Sequence, residues 1–84
     1  MNIFILDEDP RLCARYHCDK HVSKMILESA QMLSTVMGGP YKPTHQNHPC
    51  TVWTGESREN AQWLIELSHW LNAEWRRRYE HVQN

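Results

Sequence analysis

Long apolar runs, matched cysteines, net positive charge and glycine-rich stretches are all missing from this chain. Its longest apolar runs, such as Ile3–Leu6, are far shorter than the roughly 20 residues a bilayer-spanning helix needs, so no membrane span is expected. Three cysteines, Cys13, Cys18 and Cys50, leave one unpaired in any intramolecular scheme. No apolar signal segment with a basic start precedes them, which points to a reduced, cytoplasmic protein. The formal charge of -1 argues against a protein that grips duplex DNA mainly by releasing counterions, so nucleic acid is not the expected partner. Neither a Gly-rich phosphate loop nor a serine-histidine-acid order is present.

What is present amounts to one small domain. At 84 residues a single core is marginal unless disulfides, a metal or a second subunit assist it. The charge is unevenly spread. Asp7, Glu8, Asp9 and Asp19 load the front and Glu56, Glu59, Glu66, Glu74 and Glu80 the back, whereas the stretch from Lys20 to Gly55 holds Glu28 as its single acid. That middle stretch also carries Lys20, His21, Lys24, Lys42, His45 and His48. A chain that is neutral overall and locally basic suits a compact anion better than a polyanion.

The pattern predicts a mainly α fold, a short N-terminal strand followed by three to four helices. Asn2–Leu6 is β-prone and too short for a helix. Asp9 before Pro10 is a cap followed by a residue whose missing N–H costs nothing at the first helical position, and a short helix to about His17 follows. Asp19 is expected to cap a second helix. Its apolar face holds Val22, Met25, Ile26, Ser29, Ala30, Leu33 and Val36 at three- and four-residue spacing, and Gly38-Gly39-Pro40 ends it. Tyr41–Asn47 reads as a loop, with Pro49 after His48 opening the next helix and Gly55 breaking or bending it. From Ser57 a last helix buries Ala61, Leu64, Leu67 or Ser68, Leu71 and Trp75, and Arg76–Arg78 sit where cations complement its C-terminal dipole. Trp63, Ile65 and Trp70 lie off that stripe, which predicts a homo-oligomer interface. The alternative is that the tryptophans cap a small core and stay half exposed.

Two segments carry most of the binding chemistry. In Cys18–Lys24 the cations Lys20, His21 and Lys24 occupy the first turns of a helix, where they oppose the positive end of its dipole. A bound phosphate or carboxylate would reverse that effect. Glu28 lies two turns beyond Lys20 on the Lys24 face, placed to orient the lysines or to accept from a sugar hydroxyl. The second segment, Tyr41–Trp53, is stiffened by Pro43 and Pro49. There Tyr41 or Trp53 is suited to stack on a base, and Lys42, Thr44, His45, Asn47 and His48 to bond phosphate or ribose. The bland reading is a solvated helix end, with Thr44 and Asn47 closing turns and Trp53 in the core.

Cys18-x-x-His21 and His45-x-x-His48-x-Cys50 contain zinc-type ligands, but the His-rich half has no second cysteine at a regular spacing, so neither metal nor cofactor is expected. Acid-base or nucleophilic roles for Glu28, the histidines, Cys18 or Cys50 are thinner alternatives.

The blocks Leu6-Asp-Glu-Asp-Pro10, Cys18-Asp-Lys-His-Val22, Lys24-Met-Ile-Leu-Glu28, Ala30–Thr35, Tyr41-Lys-Pro-Thr-His45 and Asn47-His-Pro-Cys50 before Trp53 resemble a family of small proteins from tailed bacteriophages, over most of the chain through Trp70. Some members are labelled as similar to pyrimidine-dimer DNA glycosylases. That likeness implies an N-terminal threonine amine as nucleophile with a helical glutamate; here position 2 is Asn2. A phage origin, with an anion pocket and no evident nucleophile, points by analogy to a counter-defence protein. The expectation is a non-enzymatic oligomer in the host cytoplasm that sequesters a nucleotide-derived signal, such as a cyclic nucleotide or an ADP-ribose derivative. The alternatives are a glycosylase-like or hydrolytic enzyme using Glu28 or the histidines, and a module that binds a host protein through its tryptophan-rich helix.

Overall fold

The computed structural model describes residues 1–80. Four helices follow an extended N-terminal segment: α1 (Pro10–Arg15), α2 (Asp19–Met37), α3 (Pro49–Glu56) and α4 (Arg58–Tyr79). Asp9 caps α1 by accepting the Arg11 N–H, and Pro10 stands in its first turn. Cys18, with no capping side-chain bond, precedes α2. Asp19 is therefore not the expected cap; its carboxylate is taken by the Arg78 guanidinium at 3.0 Å. Gly38 ends α2 at φ 71, a left-handed conformation that costs glycine little. The His48 ring accepts the Cys50 N–H and so caps α3, with Pro49 in the first turn. At Gly55 the helix continues for one more residue, to Glu56, before Ser57 caps α4 through the Asn60 N–H.

The core forms where α4 lies against α1 and α2. Cys13, Ala14, Met25, Met32, Leu64, Leu67 and Leu71 are buried together, each large aliphatic chain contributing about 1.5–3 kcal/mol. Val22, Met25 and Ser29 of the expected stripe on α2 are buried, but the buried face turns away from its later positions. Glu28 and Met32 are buried, while Ala30, Leu33 and Val36 are half-buried. The cause is the N-terminal segment, which lies over the Glu28 side.

That segment is not the expected strand. No second strand exists among the described residues, and side chains serve its backbone instead. The Cys13 thiol donates to the Phe4 carbonyl at 3.0 Å and accepts the Leu6 N–H at 3.4 Å, while Glu28 accepts the Asn2 N–H at 2.9 Å. Backbone groups that a sheet would satisfy are thus satisfied by two helices. Trp63 and Trp70 are half-buried against the chain's own core, and the Trp63 indole N–H donates to the Glu8 carbonyl at 2.8 Å. No helix among the described residues is long and apolar enough to cross a membrane.

Candidate functional site

Glu28 is the centre of the most unusual local chemistry. Its residue is 8% exposed, and one carboxylate oxygen receives both the Asn2 N–H at 2.9 Å and the Met1 ammonium at 3.3 Å. A buried carboxylate needs such compensation, since stripping it of water without partners is costly. Helix α2 supplies the glutamate, and the Cys13 bonds that hold Phe4 and Leu6 bring the chain start back along α2 to reach it. Met1 is half-buried although its side chain is only 3% exposed. The part of Met1 that meets solvent is therefore its main chain, which carries the amine.

The surroundings follow from helical geometry. His21, two turns before Glu28, stacks on Phe4 with ring centroids 4.7 Å apart and planes 19° apart. Phe4 also meets the buried His17 ring edge-on at 6.1 Å. Lys24, one turn before Glu28, and Lys20, two turns before it, are exposed. On the other side Thr35, seven residues beyond Glu28 and about 10 Å along the axis, anchors the loop. Its hydroxyl accepts the Thr44 N–H at 3.2 Å and donates to the Gln31 carbonyl at 2.9 Å. The Ser34 hydroxyl likewise accepts the Tyr41 N–H at 2.9 Å. His45 adopts φ 51, a strained left-handed conformation for a non-glycine residue, with its Nδ1 2.8 Å from the Thr44 hydroxyl.

The two expected binding segments are thus distributed along one helix. Lys20, His21 and Lys24 lie in the turns before Glu28, whereas Thr44 is tied to Thr35, two turns beyond it, and His45 is exposed next to Thr44. Tyr41 is turned elsewhere, into a groove of about 360 Å³ with Ser23, Leu27 and Trp75. Trp53 packs edge-on against Trp63 at 6.1 Å and lines a hollow with Ile5 and Glu8. The His48 ring is committed to its cap, and Lys42 and Asn47 are exposed. Among the described residues no three His, Cys, Asp or Glu side chains come together as a metal site.

Sequence reasoning from side chains missed Met1 and Asn2, whose contribution is main-chain. The signal that pointed there was the resemblance to enzymes that set an N-terminal amine against a helical glutamate. It also missed an arginine cluster between α1 and α4. Glu74, 7% exposed, receives both Arg77 and Arg78 on one oxygen, and the Arg77 hydrogen bond holds its carboxyl below the usual range.

The chain matches the family described as pyrimidine dimer DNA glycosylase over residues 1–84 and belongs to that family. Comparison with curated proteins and with solved structures gives no match.

Proposed function

We propose that this chain acts on a deoxyribose or ribose C1′ of a nucleic acid or nucleotide, with the Met1 amine as nucleophile and Glu28 as its acid-base partner. The observation that carries the reading is the Met1 amine 3.3 Å from the buried Glu28 carboxylate, in a chain of a glycosylase family. In the reaction the ammonium first gives a proton to Glu28. The free amine then attacks C1′ as the bond from C1′ to the base nitrogen breaks; the base leaves with the bonding pair and takes up a proton. The amine nitrogen gives up its second proton, and its lone pair then forms C=N as the C1′–O4′ bond breaks toward O4′, which is protonated. The resulting imine, in its protonated form, is cleaved by water, restoring the amine and releasing the sugar as an aldehyde. Lys24 and Lys20, both exposed, hold flanking phosphate in this reading.

The test is reductive trapping. Incubation with borohydride and an oligonucleotide bearing either a pyrimidine dimer or an abasic aldehyde is expected to give a covalent adduct, located on Met1 by mass spectrometry of the digested product. Glu28→Gln should slow base release by about 10²–10⁴-fold. Absence of any adduct with the abasic oligonucleotide would refute the reading.

A second reading is favoured by the overall charge of -1 and by two lysines, Lys20 and Lys24, without an ion pair among the described residues. It is a phage counter-defence protein that binds and sequesters a cyclic nucleotide or ADP-ribose-type signal without turnover. Tight calorimetric binding of such a ligand, with unchanged ligand recovered and no borohydride adduct, is its signature.

A further inference from the structure

At the opposite side of α1 from its buried Cys13 face, a hollow of about 210 Å³ lies between α1 and α4, lined by Arg11, Arg15, Trp70, Ala73, Glu74 and Arg77. Three guanidinium groups face one carboxylate there, and that carboxylate is already shared by Arg77 and Arg78. Arg78 is structural: it ties α4 to the α1–α2 junction through the His17 carbonyl, the Arg15 carbonyl and Asp19. Arg11 and Arg15 are different. Both are exposed, and neither has a carboxylate partner among the described residues. Arg15, in the last turn of α1, complements that helix end. Arg11, in the first turn, does not; its guanidinium carbon instead lies 5.4 Å from the centroid of the Trp70 ring, a cation–π contact. A guanidinium set against an aromatic ring, beside two more arginines, offers paired N–H donors to phosphate oxygens.

We propose that this α1–α4 hollow is a second anion site, taking a backbone phosphate of a single-stranded or locally opened polynucleotide whose reacting nucleotide sits at Glu28. The inference rests on the nucleic-acid reading above and adds to it a place for a second phosphate, away from Glu28. The overall charge of -1 then reflects acids elsewhere, while the cations that meet the strand are concentrated at Lys20, Lys24, Arg11 and Arg15.

The experiment compares inorganic phosphate, thymidine monophosphate and a fluorescein-labelled single-stranded oligothymidylate by anisotropy and competition, using the full chain and the Arg11→Gln/Arg15→Gln variant. Both side chains are exposed, so the variant is expected to fold, as an unchanged circular dichroism spectrum and melting curve would verify. Oligothymidylate should bind best, and the variant should bind it about tenfold or more weakly, with a log–log salt slope smaller by about one to two. Equal affinity and slope in parent and variant would overturn the second site, and so would a parent that binds inorganic phosphate as well as the oligomer. Trapping with the abasic oligonucleotide is run on the same preparations. A trapped adduct with arginine-independent binding removes the second site alone. Arginine-dependent binding without an adduct removes the amine chemistry alone.

Discussion

His17 shows how one buried side chain sets a pH limit on the fold. Its Nδ1 lies 2.7 Å from the Cys13 carbonyl; a carbonyl only accepts, so Nδ1 carries the proton and Nε2 is a lone pair. Nε2 is buried without a partner. Burial lowers the pKa of the ring below its ordinary 6.5, the Cys13 hydrogen bond opposes this, and His21 and Arg78 lower it further. Protonation would add a buried charge and an unpaired N–H. The unfolded chain therefore binds the proton more readily than the folded one, and stability is fully present above about pH 6.5 and falls as pH drops below it toward the lowered folded value. The melting temperature is expected to decline between pH 7 and pH 5, and less steeply in His17→Gln. Parallel pH profiles for the two proteins would show that His17 is not responsible.

Helix α2 ends at Gly38 with φ 71, and nothing lies within 4 Å of where its Cβ would be. The constraint there is the backbone alone. Gly38→Ala is expected to cost about 1–2 kcal/mol for the left-handed conformation, a drop in melting temperature of roughly 4–8 °C per kcal/mol for a domain of this size. Gly38→Asn should cost less, because Asn tolerates that region. Equal losses would mean that Gly38 serves some other purpose. The stop also places the loop: Tyr41 and Thr44 reach back to Ser34 and Thr35 only because the chain reverses here.

The described residues span 41 × 27 × 17 Å, so across the thin axis there is room for fewer than two helix diameters. Side chains on both broad faces are then left half-covered, which is why Trp63 and Trp70 contribute to the core without disappearing into it. Oligomerisation stays a proposal on the face of α4 that holds Trp63, Ile65 and Trp70, of which Ile65 is 38% exposed. Sedimentation should find the parent as a dimer or larger, and Ile65→Glu as a monomer with an unchanged melting temperature. A parent that sediments as a monomer would end this idea.

The helices were legible in the sequence because their signals are local. Asp9-Pro10, His48-Pro49, Ser57 and Gly38 act through bonds to residues a few positions away, and the Leu64, Leu67 and Leu71 spacing places one side of α4 inward whatever it meets. The oddity of Glu28, one acid in a basic stretch, was legible for the same reason. Its partners were not. That the chain start folds back onto Glu28, that Cys13 stands in for a neighbouring strand, and that Arg11 and Arg77 share a hollow are contacts between residues 7 to 66 positions apart. Main-chain groups such as the Met1 amine leave no mark in residue identity. Only the packing of α1 and α4, and of the N-terminal segment on α2, decides which charged groups meet one another and which are left to meet a ligand.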